Sequence, residues 1–208
     1  MSCLISIIIP YDYDRGFLNE AIKSCAFQDF KSFELIVQQG FNSTAKNIND
    51  GIRKSKGKYI KLCGEDDILF PNCLGDMYKA VKGYDFTAGH CINFINQKFY
   101  TRFVTIPKDV NALAERNTLH GLGMLYSRKA LEDVSENGMY FNEDLNAFEE
   151  YELHLKLLHF KKKLSLCDSI VAKYRMHPDQ KSFDINNGIK DPIRQQKRAE
   201  MIKKWIYQ

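Results

Sequence analysis

The sequence has no apolar run that approaches the roughly 20 residues needed to span a membrane as a helix. Its apolar first segment lacks the basic start and the small-residue cleavage site of a secretion signal. The six cysteines include no CxxC pair, which argues against a disulfide framework or a cysteine-bound metal. These absences predict a reduced, cytoplasmic protein whose contact with a membrane, if any, is peripheral.

Strong charge of one sign is absent as well. The 30 Lys and Arg residues against 26 Asp and Glu residues give a net charge of +4, too small an excess to indicate a nucleic-acid partner. It is compatible with anionic ligands such as nucleotides or a phospholipid surface. The chain shows no internal repeat or low-complexity segment, and 208 residues with 44% hydrophobic content predict a globular chain with a sizeable core.

Strand and helix patterns alternate in the first third of the chain. The predicted elements are strands at 3–9, 33–37 and 58–63 and helices at 15–27 and 44–54, with Pro10 ending the first strand and Ser43 or Thr44 capping the second helix. Such alternation is typical of a parallel sheet covered by helices, in which ligands bind at the carboxyl ends of the strands. The loops that begin at Pro10, Gln38 and Gly64 are therefore expected to converge at one edge.

The rest of the chain predicts a more mixed structure. Residues 91–104 are rich in aromatic and β-branched types, which predicts two or three strands with a tight turn such as Asn96-Gln97. Further predicted elements are helices at 71–82, 110–115, 127–134 and 148–160, a strand at 164–172 and a terminal helix at 191–208. That last helix carries Ile193, Met201, Ile202, Trp205 and Ile206 on one stripe. The stripe could rest on anionic lipid, or pack against its own domain or another subunit.

Three adjacent carboxylates, Glu65, Asp66 and Asp67, directly follow the third predicted strand. Because like charges repel, a partly buried strand end tolerates them mainly where a divalent cation supplies positive charge. The alternative is a solvated acidic loop before the helix that Pro71 would begin.

Several blocks of sequence occur in a characteristic order. They are 5–11, 18–24, 28–37, Asn49-Asp50-Gly51-Ile52, 55–60, the acidic cluster with Pro71, 141–145, 149–157 and Tyr174-Arg175-Met176-His177. In this order the chain, from residue 4 to about 182, resembles the family 2 glycosyltransferases, which transfer a sugar from a nucleotide donor. The resemblance implies an α/β GT-A (Rossmann-like) fold, with a mostly parallel central sheet flanked by helices and a smaller antiparallel element in the acceptor half.

The resemblance also implies how the chain is organised. Residues 1–182 would form a single domain, with a half that binds the nucleotide sugar at 1–90 and an acceptor half at 91–182. Residues 183–208 would be a linker and an amphipathic helix.

A manganese or magnesium ion (Mn²⁺ or Mg²⁺) at the leaving diphosphate is part of what the resemblance implies. Asp66 and Asp67 occupy the DxD region of the family, and either is a candidate for the direct ligand. Gly64 stands where many relatives carry the first Asp, and Glu65 is the candidate substitute. His177 is either a third ligand of the metal or a histidine of a surface loop.

The nucleotide contacts that the resemblance implies are Pro10, Tyr11, Asp12, Gln38, Gln39, Lys46, Asn49, Glu65, Asp66 and Arg175, with Lys181 as a further phosphate partner. Relatives commonly place aspartates at the positions of Gln38 and Gln39 to accept the N3–H of uracil. An amide oxygen can accept the same hydrogen bond without charge. A UDP sugar therefore stays the favoured donor, with a weaker preference for uridine.

The acceptor hydroxyl must lose a proton as it attacks the anomeric carbon. In inverting relatives a carboxylate at the start of a helix removes that proton, and Glu149 and Glu150 occupy this block. Glu150 is the first candidate for the base and Glu149 the second, although the helix dipole stabilises acids at a first turn whatever the function. Residues 120–124 either border the pocket or only shape a turn.

The residues and the resemblance together predict a metal-dependent glycosyltransferase that moves a sugar from a nucleotide donor to a hydroxyl of a glycan or glycolipid, inverting by default. The chain is either a whole protein or one module of a longer one. One rival is a non-catalytic module of the same fold that binds nucleotide or carbohydrate. The other is a nucleotidyltransferase, although the acidic stretch at 10–14 lacks the glycine-rich, basic phosphate loop of that class.

Overall fold

In this computed structural model, which describes residues 3–41, 43–95, 98–145, 147–180 and 192–207, eight strands form one central sheet and seven helices flank it. The strands are β1 (Ile5–Tyr11), β2 (Phe33–Gln39), β3 (Tyr59–Leu62), β4 (Ile68–Leu69), β5 (Phe86–Ile95), β6 (Lys98–Arg102), β7 (Met124–Ser127) and β8 (Leu164–Arg175). The helices are α1 (Leu18–Ala26), α2 (Thr44–Lys54), α3 (Cys73–Ala80), α4 (Val110–Glu115), α5 (Arg128–Asp133), α6 (Glu149–His159) and α7 (Pro192–Ile206).

The strand order is β2-β1-β3-β7-β5-β8-β4, and β6 pairs with β5. Strand β1 runs parallel to β2 and β3, and β5 runs parallel to β8, whereas the other four pairings are antiparallel. The predicted α/β class with helices around a central sheet is confirmed. The sheet is mixed rather than mostly parallel, because β7, which the sequence pattern did not reveal, enters antiparallel between β3 and β5.

Pro10 does not end the first strand as predicted, since β1 continues to Tyr11. The backbone amide of Cys63 donates to the carbonyl of Ile8 at 3.0 Å. The backbone N–H and C=O groups of the even-numbered residues of β1 therefore point towards β3. Strand β3 has ended by the level of Pro10, so the missing N–H of the proline interrupts no ladder hydrogen bond.

Two apolar layers cover the two faces of the sheet. One contains Ile8 and Ile60 with side chains of α2, α4, α6 and α7. The other contains Ile5 and Ile7 with side chains of α1 and α3. Helices on both faces are the arrangement that the βαβ pattern predicted. The predicted cap of α2 is confirmed, because the hydroxyl of Ser43 accepts from the amide of Lys46.

The terminal helix α7 packs into the first of these layers. Met201 and Trp205 are buried, and the Trp205 indole N–H donates to Glu152 Oε1 at 2.8 Å. Ile202 and Ile206 also contact this layer, while Ile193 is exposed. The apolar stripe is therefore used within the domain, which was one of the predicted alternatives for this helix. The peripheral membrane contact and the predicted boundary before residue 183 stay predictions.

Two further observations concern the described residues only. None of their helices is long and apolar enough to cross a bilayer. All six cysteines are free thiols, and only Cys3 is not buried. The predicted turn at Asn96-Gln97 and the predicted linker at 183–191 lie outside the described residues.

Candidate active site

A cavity of about 620 Å³ opens where β1 and β3 end. Its lining comes from the ends of these two strands, the start of α2, the segment around a 3₁₀ turn at Gly121–Gly123, the start of α6 and the loop after β8. The loops after β1 and β3 converge there as predicted. Among its described residues, the loop after β2 reaches the cavity only through the last, Ser43, and not through Gln38, Gln39 or Gly40.

The acidic loop after β3 is folded tightly around Gly64. A Cβ atom at Gly64 would lie 2.7 Å from Asp66 Oδ1 and 2.8 Å from Asp67 Oδ2. Asp66 Oδ2 contacts His177 Nε2 at 2.9 Å, and Asp67 Oδ1 accepts from the amide of Arg175 at 3.0 Å. One oxygen of each aspartate therefore points into the space that the missing side chain of Gly64 leaves.

The electrostatics of this loop favour a bound cation. Burial raises the pKa of Asp67 well above its ordinary value, and the neighbouring charge of Asp66 raises it further. Burial and Asp66 also raise the pKa of Glu65. A cation between the carboxylates would relieve this repulsion.

The donor set fits a hard divalent ion that a diphosphate helps to hold. The described residues contain no group of three His, Cys, Asp or Glu side chains that could hold a metal by themselves. Mg²⁺ sites at phosphates commonly use only one or two carboxylates, and phosphate and water supply the remaining oxygens. Asp66 Oδ1 and Asp67 Oδ2 meet that requirement. His177 contacts Asp66 and so lies beside this pair.

Arg15 is a cavity residue that sequence analysis missed. Its guanidinium donates to Asp12 Oδ1 at 3.0 Å, forms an ion pair with Glu65 and stacks on the Tyr13 ring at 4.0 Å. Burial would lower the pKa of Arg15, but Asp12 and Glu65 raise it above its ordinary value. The pairing of Arg15 with Glu65, 50 residues away, joins the loops after β1 and β3 and leaves no local sequence signal.

Arg175 does not line the cavity, contrary to its predicted role as a phosphate partner. Its guanidinium lies 4.4 Å from the ring centroid of Phe17 and 4.6 Å from that of Phe94. Its Nε donates to the carbonyl of Asp66 at 2.8 Å, and its Nη2 pairs with Glu20. Arg175 therefore holds the acidic loop in place from outside the cavity. Lys181, the other predicted phosphate partner, lies outside the described residues.

The two glutamines predicted to read the base lie outside the cavity lining. Gln38 is buried, and its Oε1 accepts from Lys54 Nζ at 2.7 Å. The side-chain Nε2 of Gln39 donates to the backbone carbonyl of Asp12 at 3.2 Å. Both side chains are thus engaged in contacts with protein groups.

Lys46 and Asn49 also lie outside the lining. Lys46 pairs with Asp50 one turn further along α2, at 3.4 Å. The amide of Asn49 is fully buried and exchanges two hydrogen bonds with the backbone of Phe141. Asn49 therefore holds α2 against the segment before α6 and does not reach the predicted nucleotide site.

Asn47 is the α2 residue that sequence analysis missed. It lines the cavity, and its Nδ2 donates to the carbonyls of Tyr11 at 3.2 Å and Gly40 at 2.7 Å. These two bonds fix the orientation of the side-chain amide, and its buried Oδ1 has no hydrogen-bond partner within the described part of the chain. An acceptor of this kind suits an N–H group of a ligand.

The two predicted candidates for the base begin α6, where Phe148 adopts a left-handed conformation with φ of 71°. Glu149 is 4% exposed, whereas Glu150 is half-buried. The side chain of Glu150 lies against Gly121, because a Cβ there would be 2.8 Å from Glu150 Cγ and 3.1 Å from its Oε1. The segment at 120–124 thus borders the cavity, through His120, Gly121 and Leu122.

A buried neutral pair lies next to Glu150. His154, one turn further along α6, contacts the Tyr126 hydroxyl through Nε2 at 2.8 Å. Burial lowers the pKa of His154 to about 3. Burial also raises the pKa of Tyr126, and the charge of Glu150 adds to that shift. Both side chains are therefore uncharged near neutral pH.

Taken together, the cavity joins nine of the predicted site residues: Pro10, Tyr11, Asp12, Glu65, Asp66, Asp67, Glu149, Glu150 and His177. They form two groups, the acidic loop with its neighbours at the ends of β1 and β3, and the two glutamates at the start of α6.

Comparison with known proteins finds sequence relatives and similar folds among glycosyltransferases. No protein-family model matches the chain. An uncharacterized glycosyltransferase of Rickettsia conorii is 24% identical over 221 residues, covering 88% of this chain and 36% of the relative. One of Rickettsia prowazekii is 23% identical over 225 residues, covering 91% and 69%. The chain thus spans about a third of the length of the first of these relatives.

Solved structures give the same result for the fold. S. aureus TarS 1–349 in complex with UDP-GlcNAc superimposes with a TM-score of 0.77 at 16% identity, over 98% of this chain and 66% of that one. The chain is related to the glycosyltransferases. The mannosyltransferase PcManGT of Pyrobaculum calidifontis, in complex with GDP-Man and Mn²⁺, gives a TM-score of 0.62 at 14% identity, over 84% and 57%. The predicted resemblance to glycosyltransferases is confirmed, and the assignment to family 2 stays a prediction.

Proposed function

We propose that this chain transfers a sugar from a nucleoside-diphosphate donor, with a UDP sugar favoured, to a hydroxyl of a glycan or glycoconjugate. One observation carries the proposal. A single cavity holds a pair of carboxylates that converge over Gly64 and a separate carboxylate, Glu150, at the start of a helix. Leaving-group stabilisation and proton removal require these two groups at one site.

The donor would bind between the ends of β1 and β3. Asp66 and Asp67 would hold Mn²⁺ or Mg²⁺, which when bound would neutralise charge on the diphosphate. The UDP-GlcNAc complex of TarS and the GDP-Man and Mn²⁺ complex of PcManGT support this donor class. Asn47 Oδ1, next to Tyr11, supports a base that offers an N–H group, as uracil does.

Transfer would follow direct displacement. Glu150 would accept the proton of the acceptor hydroxyl. The oxygen of that hydroxyl would form a bond to the anomeric carbon as the bond from this carbon to the diphosphate breaks. Attack from the face opposite the leaving group inverts the configuration. Glu150 suits this role better than Glu149 because it is half-buried at the cavity, whereas Glu149 is buried.

One observation favours a second candidate, a module that binds nucleotide without turnover. Of the described Lys and Arg side chains, Arg15 alone lines the cavity, and Asp12 and Glu65 already engage it. Such a module would bind UDP but release no nucleotide from a UDP sugar.

Calorimetry with UDP, GDP and dTDP, each with and without Mn²⁺, tests the proposal. We expect one nucleotide to bind in a metal-dependent manner and Asp66→Ala with Asp67→Ala to abolish that binding. Asp29→Ala, which removes an exposed carboxylate elsewhere, is the matched control. Release of the same nucleotide from its sugars, with and without added glycan acceptors, then separates the transferase from the binding module. If no nucleotide binds, both candidates are wrong.

A further inference from the structure

Lys61 is a fully buried lysine in the middle of the sheet. It lies in β3 with none of its surface exposed, between Ile7 of β1 and Leu125 of β7. Its Nζ donates to the carbonyl of Leu62 at 3.1 Å and to the carbonyl of Leu122. Both acceptors are neutral backbone groups, and the charge of Lys61 also acts to lower the pKa of buried Asp67 in the acidic loop.

A charge in such a position opposes folding. Removing an ammonium group from water is costly, and replacing a buried charge by an apolar side chain of similar size is often neutral or stabilising. Methionine would fill the site of Lys61 without a charge. The stability of the fold therefore does not explain this lysine, and its contacts indicate another role.

The contact with Leu122 leads directly to the proposed base. The Leu122 carbonyl belongs to the 3₁₀ turn Gly121–Gly123, in which the amide of Gly123 donates to the carbonyl of His120 at 2.8 Å. Gly121 of the same turn lies against the side chain of Glu150. The turn is thus held by Lys61 from within the core and contacts Glu150 at the cavity.

The second glycine of the turn packs directly against β5. A Cβ at Gly123 would lie 2.4 Å from the carbonyl oxygen of Gly89 in β5. The turn thus lies between β5 and Glu150, and the Leu122 carbonyl ties it to β3. Lys61 supplies the donor for that bond.

We propose that Lys61 is a positioning residue for sugar transfer: it holds the Leu122 carbonyl and so fixes the turn against which the carboxylate of Glu150 rests. This inference depends on the proposed function of Glu150 as the base. Loss of the ammonium would let the turn shift and would misplace Glu150 relative to the acceptor hydroxyl. Misplacement on the ångström scale can slow a reaction about 100-fold.

The test compares Lys61→Met with Lys56→Met, which removes the same charge from an exposed position five residues earlier. We expect Lys61→Met to raise amide hydrogen exchange in residues 119–125 by about tenfold or more and to keep or raise the melting temperature. Its kcat for nucleotide release should fall by about 10- to 100-fold, with the donor KM within about twofold of wild type. Lys56→Met should match wild type in all four quantities.

A double-mutant cycle shows whether the effect acts through Glu150. In a Glu150→Gln background, Lys61→Met should lower the residual kcat by less than about twofold. An equal loss in both backgrounds, or unchanged exchange in the turn, would overturn the proposal. If Lys61→Met does not fold, Lys61→Gln replaces it in the same cycle. If the wild type shows no turnover, the proposed function fails, whereas hydrogen exchange still tests the link between Lys61 and the turn.

Discussion

Gly64→Ala tests the converging carboxylates with the smallest change the chain allows. The φ angle of Gly64 lies outside the left-handed region, so the backbone accepts alanine there. The added methyl group would lie 2.7 Å from Asp66 Oδ1 and 2.8 Å from Asp67 Oδ2. Ordinary van der Waals contact begins at 3.4 Å, so Asp66 Oδ1 must retreat by about 0.7 Å and Asp67 Oδ2 by about 0.6 Å if the backbone stays in place.

That displacement is large for a metal site, because protein ligands of a defined metal lie within about 0.2 Å of their ideal distances. The carboxylates also cannot turn freely, since His177 holds Asp66 and the amide of Arg175 holds Asp67. We therefore expect Gly64→Ala to weaken metal-dependent nucleotide binding by about tenfold or more, which is about 1.4 kcal/mol. Overpacking should destabilise the fold by about 1 to 3 kcal/mol.

Gly75→Ala is the matched control. Gly75 lies in α3 and has open space where a Cβ would go, so alanine should stabilise the helix by about 0.5 to 1 kcal/mol and leave binding unchanged. Calorimetry with UDP and Mn²⁺ on the two variants and the wild type gives the comparison. Wild-type affinity in Gly64→Ala would refute the reasoning, because the carboxylates would then bind no ion in the geometry described.

Three further results are expected. Glu150→Gln should lower kcat by about 100-fold or more and keep nucleotide affinity, and a larger loss in Glu149→Gln would reassign the base. Burial lowers the pKa of His154 to about 3 from an ordinary 6.5. As pH falls below about 6.5, the unfolded chain therefore takes up a proton at this histidine before the folded chain does, and the folded state loses stability. Urea denaturation should show about 2 kcal/mol less stability from this group at pH 5 than above pH 7, and a smaller change in His154→Gln. Trp205→Ala should cost about 3 to 5 kcal/mol, against about 0.5 kcal/mol or less for exposed Ile193→Ala; similar small values for both would show that α7 is not part of the core.

Features that depend on neighbouring residues could be predicted from the sequence. The span of α2 and its Ser43 cap follow from helical periodicity and one hydroxyl. The acidic loop and the start of α6 were located because strand ends and helix starts leave local signals. The meeting of the loops after β1 and β3 at one edge follows from the general geometry of parallel strands, whereas the place of the α6 start at the same cavity was implied only by the family resemblance.

Features that depend on distant partners could not be predicted. Strand β7 has only four residues, three of them buried, so no alternation distinguishes it from a turn. Arg175 was assigned to the phosphates because it is a cation. Its guanidinium instead donates to the backbone carbonyl of Asp66, 109 residues away, and stacks on two aromatic rings. Gln38 was assigned to the base although Lys54 engages it. In each case the fold, not the residue type, decides which group a side chain meets.

The choice between a transferase and a binding module depends on where the chain keeps features that destabilise the fold. A module that only binds nucleotide requires the acidic loop, and buried Asp67 belongs to that loop. Two other costly features lie next to Glu150 instead: the left-handed Phe148 and the buried ammonium of Lys61 behind the Gly121–Gly123 turn. Strain and buried charge occur preferentially at functional sites. The charge of Lys61 also acts on Asp67 of the acidic loop, so nucleotide binding gives a reason for that lysine but none for Phe148. A base that must be held in place at the start of α6 accounts for both features.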